Sequence, residues 1–307
     1  MAKIIFMGTS DFACKSLAAL EGANYLPELI ITRPDSTSGR KRRLSMPPVK
    51  EWGLAKGLPV WQPKNINSED SVDKLISMSP DILVVVAYGH ILSKRVLSIP
   101  SLGAINVHAS LLPDLRGAAP IEWAIMLGYK ETGVTTMFMD EGMDTGDIIL
   151  QQATLIGPHE NSGQLRERLA IISQQLLQNT IDLVLQGNAP RQPQPLTCHQ
   201  YAPTLDRAIE PLDWSLAAIT LANKVRGLAP IPGSYCEFRG KRLKVYKANG
   251  LPGSAPKGEV VIQGKRLLVG TGEGLLELIE VQPAGKNICT ALDFINGYHI
   301  QQGEVFL

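Results

Sequence analysis

What this sequence has little of narrows it first. Four cysteines occur in 307 residues, at positions 14, 198, 236 and 289, and no two form a C-x-x-C pair. That spacing argues against a zinc ribbon or a redox dithiol, and low cysteine use fits a reducing compartment. The formal net charge of +1 excludes a globally basic, histone-like protein but leaves room for local basic patches. Long hydrophobic runs are missing as well. The apolar stretch that opens the chain ends at Gly8 and Thr9, too early for a signal peptide. Ile82 to Tyr88 is the longest later run, and its length suits a strand, not a bilayer span. A cytoplasmic protein is expected. No G-x-G-x-x-G and no G-K-[ST] is present at the first turn, so Gly8-Thr9-Ser10 reads as a plain βα turn and not as a nucleotide site.

Hydrophobic residues make up 44% of the chain, enough for a packed core and for two domains at this length. Lys3 to Met7 reads as a strand, Asp11 to Leu20 as a helix capped by Ser10 or Asp11, and Tyr25 to Thr32 as a second strand. Strand, glycine turn, helix, strand is the pattern of a βαβ unit with a parallel sheet. Ile82 to Ala87 is almost wholly apolar, as a central parallel strand covered on both faces should be. Gly103 to His108 is a further strand, Gly133 to Met139 and Asp147 to Thr154 form a pair, and Gln164 to Leu185 carries apolar residues at helical spacing. Glycine and prolines from Gln186 to Pro195 read as a linker. Beyond it, Ser215 to Val225 suits a helix. Five short strands follow, at 233–238, 242–247, 258–262, 266–270 and 275–281, spaced as in a small barrel or sandwich.

Three residues carry the most chemistry: Asn106 and His108 in Asn106-Val107-His108, and Asp144 in Asp140-Glu141-Gly142-Met143-Asp144-Thr145-Gly146. In a doubly wound sheet, ligands bind beyond the carboxyl ends of the strands, where both segments end. At i and i+2 of a strand, Asn106 and His108 share a face. An asparagine amide there can donate to a developing oxyanion, an effect worth roughly 2.7–4 kcal/mol. Histidine moves protons near neutral pH, and a carboxylate can orient it or relay a proton. No side-chain nucleophile is needed, so the trio suits transfer of a group to the substrate's own amine. The same residues also admit plainer readings. Asn-x-His can be a hydrogen-bonded structural pair, and Asp-Thr-Gly is a common turn. A metal reading of His108 with Asp144 lacks an H-x-x-x-H or H-x-D partner.

The flanking residues are more specific. Ser110-Leu111-Leu112-Pro113-Asp114-Leu115-Arg116-Gly117-Ala118-Ala119-Pro120-Ile121 is an irregular segment with a proline near each end. With Phe6-Met7-Gly8-Thr9-Ser10-Asp11-Phe12-Ala13, Pro34-Asp35, Pro48-Val49-Lys50, Val86-Ala87-Tyr88-Gly89, Met143 to Ile148 and Asp213-Trp214-Ser215, it resembles the 10-formyltetrahydrofolate-dependent formyltransferases, in the branch whose acceptor is methionyl-tRNA. The resemblance spans nearly the whole chain. It implies a Rossmann-like α/β catalytic domain at 1–188, a linker at 189–206 and an OB-like β-barrel domain that binds tRNA at 207–307. It implies Asn106, His108 and Asp144 as the catalytic trio and Ser110, Leu111, Leu112 and Pro113 as a folate-contacting segment. Tyr88, Gly89, His90, Ile91 and Leu92 together with Asp140, Glu141, Gly142 and Asp144 would wall the pterin pocket. The implied partners are 10-formyltetrahydrofolate as formyl donor and initiator methionyl-tRNA, acting on a monomer without a metal, membrane or DNA.

Two basic clusters bear on the acceptor. Arg40-Lys41-Arg42-Arg43 lies between Gly39 and the Met46-Pro47-Pro48 turn, as an exposed loop at the sheet edge of the crevice. It suits a polyanionic substrate as well as a solvated loop; the resemblance makes it a wedge against the tRNA acceptor stem, with Arg42 the preferred contact. On the second cluster, alternation puts Arg242, Lys244 and Tyr246 on one strand face. That face suits either nucleic-acid backbone or plain solvent. Residues 201–307 hold 12 Lys+Arg against 10 Asp+Glu, so charge alone does not mark a nucleic-acid domain. Leu228, Ile231 and Thr204 depart from the family pattern, which favours an aromatic, a tryptophan and a lysine there. Two rival readings stand beside this one: a formyltransferase for an amino sugar nucleotide, and a non-enzymatic RNA-binding protein.

Overall fold

The computed structural model describes residues 2–38, 43–195, 197 and 200–307. Contacts divide the chain into two compact units. One comprises Met1–Pro120, Thr132–Thr154 and Arg166–Pro203; the other comprises Ile121–Glu131, Leu155–Leu165 and Thr204–Leu307.

The first unit is built on β1 (Ile4–Gly8), α1 (Asp11–Gly22), β2 (Leu29–Ile31), the hairpin β3 (Ser36–Ser38) and β4 (Arg43–Ser45), α2 (Pro48–Ala55), β5 (Val60–Trp61), α3 (Glu69–Met78), β6 (Ile82–Val86), α4 (Lys94–Leu97), β7 (Gly103–His108) and the short β8 (Arg116–Gly117). After β8 the chain forms α5 (Pro120–Met126), which falls in the second unit from Ile121 on, and then β9 (Glu131–Phe138), β10 (Ile148–Leu155), α6 (Ser162–Leu185) and β11 (Tyr201–Ala202). The main sheet runs β10-β9-β7-β6-β1-β2-β5. β5, β2, β1, β6 and β7 are parallel, and β9 joins β7 antiparallel. This is the expected parallel-rich α/β sheet. β6 is buried at all five positions, as its apolar run required. Strand order reverses between β1 and β6, so the crevice opens beyond their carboxyl ends. Thr9 Oγ1 donates to Tyr88 O across that point at 3.0 Å.

Two local expectations shift. The second strand shrinks from Tyr25–Thr32 to Leu29–Ile31 because Tyr25 N bonds back to Leu20 O, and Pro27 has no N–H to give a ladder. Ser10 occupies the N-cap of α1 with extended backbone, but its side chain makes no capping bond.

The second unit contains α7 (Ala218–Leu228), β12 (Ser234–Phe238), β13 (Lys241–Leu251), β14 (Val260–Gln263), β15 (Arg266–Gly270), β16 (Leu275–Pro283), β17 (Cys289–Thr290) and α8 (Ala291–Tyr298). Its antiparallel sheet runs β12-β13-β16-β15-β14, with β17 on β16. All five expected strands are present. No strand pairing joins β14 to β12 among the described residues. The C-terminal segment lies between these edges instead. Leu307 exchanges two backbone bonds with Glu237 of β12, while Phe306 N bonds Gly258 O, and Val260 N bonds Glu304 O beside β14. The OB-like unit is therefore laced shut by its last residues. Residues 155–165 belong with it because the Arg226 guanidinium of α7 donates to Gly157 O and Glu160 O, and Ser162 Oγ donates to Ala229 O.

Phe306 explains why the tail stays. It is almost fully buried, with Phe238 at 5.0 Å and Trp214 at 6.5 Å between ring centroids, and Phe238 in turn meets Phe294 edge-on. Phe306→Ala should destabilise this unit by about 3–5 kcal/mol, the usual cost of emptying a phenylalanine site. Denaturant unfolding checks it, and a loss under about 1 kcal/mol would show that the tail is not part of the core.

Candidate active site

β7 ends the parallel run, and its pleat turns Asn106 and His108 to one side. Antiparallel β9 sets them opposite Met137 and Thr135. Asp144 reaches the same place from the turn between β9 and β10. Asn106 Nδ2 donates to Asp144 Oδ1 at 3.3 Å, and His108 Nδ1 lies 3.6 Å from Asp144 Oδ2. The backbone N–H of Gly117 donates to Oδ2 at 2.9 Å. The three residues predicted to converge do converge, on one carboxylate. His108 is 6% exposed, and its Nε2 lies 3.0 Å from Leu115 O. A carbonyl only accepts, so Nε2 carries the hydrogen and donates. The other nitrogen then faces a carboxylate, which also only accepts.

Three non-glycine residues near the trio have left-handed backbone: Ala87 (φ 46°), Leu115 (φ 58°) and Asp144 (φ 55°). Such conformations cost about 1–3 kcal/mol each and gather at functional sites. Aspartate tolerates this region better than most residues. The turn around Asp144 is organised by Asp140, whose Oδ1 accepts from Gly142 N at 3.0 Å and Thr145 Oγ1 at 2.7 Å. Gly146 closes it, because a Cβ there would stand 1.8 Å from Phe138 O.

A cavity of about 160 Å³ adjoins the trio, lined by His90, Ile91, Leu92, Met137, Met139 and residues 140–144. The structure thus gathers His90 to Leu92, Asp140, Glu141, Gly142 and Asp144 around one cavity. Tyr88 and Gly89 flank it. Tyr88 is buried, and burial pushes its phenol up to about 12, against a smaller opposing pull from Arg33. Glu141 pairs with Lys94 at 2.8 Å on the outside. Ser110 to Pro113 do not line the cavity; they form a held segment next to it. Thr135 Oγ1 donates to Ser110 O at 2.7 Å and accepts from Leu112 N at 3.1 Å, and Gln151 Nε2 donates to Leu112 O at 2.8 Å.

Several of these supporting residues carry no signal that sequence reading used. Thr135 and Gln151 fall at ordinary strand positions. Arg116 was read only as part of a motif, yet it is 1% exposed, and its guanidinium donates to Gln194 Oε1 and Pro195 O. Gln194 lies in the proline-rich segment after α6. That segment is irregular, but it is tied along the loop that carries Arg116. Gln192 bridges Ile148, Leu115 N bonds Gln200 O at 2.8 Å, and β11 pairs β8 in parallel.

Of the expected tRNA contacts, Arg40, Lys41 and Arg42 lie outside the described residues; Arg43 opens β4. In the second unit, Arg242 and Lys244 do share the outer face of β13 with Tyr246. Arg242 stacks 3.8 Å from the Tyr235 ring centroid, and Lys244 Nζ donates to Pro232 O. Leu228 is buried, whereas Ile231 is exposed.

Gly117 sits where this loop meets the segment after α6, which runs along it as a strap through β11. Its φ is 120°, and a Cβ would meet Ala202 O at 2.6 Å. Gly117→Ala should therefore cost about 1–3 kcal/mol of local stability and speed hydrogen exchange at Leu115 and Ala119, whose amides bond the strap. Unchanged exchange at both amides would show that the contact is slack.

The comparisons with known proteins agree with this architecture. Residues 2–181 match the family described as formyl transferase, and residues 205–299 match the formyl transferase C-terminal domain. The methionyl-tRNA formyltransferase of Symbiobacterium thermophilum is 46% identical, covering 100% of this chain and 95% of that protein. That of Pelotomaculum thermopropionicum is 44% identical, covering 99% and 98%. Among solved structures, the N-formyltransferase of Helicobacter canadensis, in complex with folinic acid and dTDP-3-aminofucose, superposes with a TM-score of 0.69 at 15% identity, covering 92% of this chain and 100% of that one. With a catalytic-domain match over more than half its length and close relatives over all of it, the chain belongs to the formyl transferase family.

Proposed function

We propose that this protein transfers the formyl group of 10-formyltetrahydrofolate to the α-amino group of methionine carried on initiator tRNA, in the cytoplasm. The observation that carries the reading is the convergence of Asn106 and His108 on the Asp144 carboxylate beside a cavity, in a chain belonging to a formyl transferase family. Near-full-length similarity to relatives named methionyl-tRNA formyltransferase supports the acceptor. The proposed domains are a catalytic one at 1–188, a connecting segment at 189–206 and a tRNA-binding one at 207–307. The cavity suits a flat ring with polar edges: Ile91, Leu92, Met137 and Met139 supply apolar walls, and residues 140–144 supply peptide and carboxylate groups.

In the proposed reaction, the uncharged amine of the methionyl ester attacks the formyl carbon. The carbonyl electron pair moves onto oxygen. Asn106 retains a second Nδ2–H beyond the one given to Asp144. His108 Nδ1 stands 3.6 Å from the carboxylate, too far for a full hydrogen bond, so a proton there remains available to a new oxyanion beside it. The attacking nitrogen then loses a proton to Asp144 or a water beside it. The bond from carbon to N10 breaks as N10 gains a proton through His108, releasing tetrahydrofolate. Asp144 balances the imidazolium charge before these transfers, and the proton it collects then passes to His108 and restores the starting pair.

Formylation assays with charged initiator tRNA, charged elongator tRNA and an amino sugar nucleotide test the acceptor. The first should react fastest, and preference for the sugar would overturn the reading. In the same assay, His108→Ala should slow single-turnover transfer at least 100-fold, about 2.7 kcal/mol at 1.36 per decade, with little loss of tRNA binding. Unchanged turnover would remove His108 from the chemistry. Neutralising Arg40 to Arg43 should weaken tRNA use and flatten its salt dependence. An equal loss with a minimal aminoacyl substrate would remove the loop from tRNA contact.

A further inference from the structure

We infer that Gln194 is a positioning residue for the Asp144 carboxylate. Its side-chain amide is divided between two tasks. Nε2 donates to Asp144 O at 3.0 Å and to Gly146 O at 2.7 Å, gripping the left-handed turn by its backbone on both sides of Thr145. Oε1 accepts from Arg116 Nη2 at 2.9 Å and from Nε at 3.3 Å. Arg116 is fully buried and also donates to Pro195 O, so the amide cannot flip without facing a guanidinium with its own N–H groups. Arg116 precedes Gly117, whose N–H holds the Asp144 carboxylate itself. One strap residue therefore connects the backbone of Asp144 to the loop that fixes its side chain.

The arrangement has a physical reason. A non-glycine residue at φ 55° relaxes unless its surroundings hold it. Asp140 organises the turn from one side through Gly142 N and Thr145 Oγ1, and neither bond reaches the Asp144 backbone. The carbonyls of Asp144 and Gly146 converge on Gln194. Without that donor, the carbonyls lose their shared partner, and the carboxylate loses the geometry that lets it serve Asn106, His108 and Gly117 N together. Gln194 touches none of the three itself. Its effect passes through Asp144, and its expected signature is an altered imidazole and not weaker substrate binding.

This inference rests on the trio being the reactive site, and the test separates the two. Gln194→Met keeps length and charge but removes both donations. In the ligand-free protein with 15N-labelled histidine at one fixed pH, the His108 ring-nitrogen resonances should move by more than a linewidth, because the displaced carboxylate no longer lies beside Nδ1. A merely structural loss would lower the folded fraction and leave the His108 resonances of the folded molecules in place; that outcome overturns the inference. Should Gln194→Met not fold, Gln194→Glu retains an acceptor for Arg116. Its single-turnover formyl-transfer rate constant should fall at least tenfold, with KM for both substrates within twofold; a reduced amplitude with an unchanged rate constant overturns the inference. Moved His108 resonances in a protein that transfers no formyl group would leave the positioning role standing and sink the functional reading instead.

Discussion

One carboxylate organises the crevice. Asp144 receives the Asn106 amide on one oxygen and the Gly117 N–H on the other, with the His108 ring beside that second oxygen. An acceptor-only group fixed among three donors sets where each can point. The turn from Asp140 to Gly146 is distant in sequence from the end of β7 and the Ser110–Gly117 loop that follows it, and this group is where they meet. Because Asp144 holds left-handed backbone, the meeting point is also a place of stored strain that its neighbours must sustain. Asp140 supports the turn from outside, and the strap after α6 supports it from within.

The parts of the fold that show in the sequence are those whose signal is local. β6 is an unbroken apolar run, and a strand buried on both faces must be one. β7 was legible to the residue, because Gly103 opens it and the Asn-x-His alternation closes it. Five of the six strands from β12 to β17 announced themselves by glycine and proline punctuation. What stayed hidden depends on partners far along the chain. Gln194 sits 78 residues from Arg116, and nothing in the proline-rich pattern around it marks a side chain clamped by a buried guanidinium. Thr135 and Gln151 look like any polar residues on paired strands until the Ser110 loop lies against them. The lacing of β12 and β14 by Gly303 to Leu307 escaped for the same reason, since a five-residue tail has no period to read.

The outer face of β13 shows how far residue type alone carries a nucleic-acid reading. Alternation placed Arg242 and Lys244 together, and the fold does so. Yet the two cations are not equivalent. Lys244 gives its ammonium to Pro232 O, which draws it toward its own unit. Arg242 lies flat on Tyr235. A stacked guanidinium keeps its in-plane N–H groups available for phosphate, so Arg242 is the better-presented of the pair. Leu228 fills the core, while Ile231 stands in solvent, so of the two only Ile231 lies on a surface that a partner could meet.

The geometry also bears on how the formyl group moves in the proposed reaction. A covalent route needs a side-chain nucleophile paired with a base. Ser110 is the hydroxyl closest in sequence to His108, and it donates to Asp114 O at 2.6 Å. Thr135 Oγ1 gives its proton to Ser110 O. Burial pushes the Cys236 thiol up to about 12 and the Cys14 thiol up to about 11, so neither offers a thiolate near neutral pH. His108, meanwhile, spends its Nε2 proton on Leu115 O and turns its other nitrogen toward Asp144, not toward a hydroxyl. Among the described residues, the imidazole is placed to hold and return a proton and not to activate a side chain. The attacking atom must then arrive with the acceptor, which makes delivery of an uncharged amine to the face of Asn106 and His108 the step on which selectivity acts.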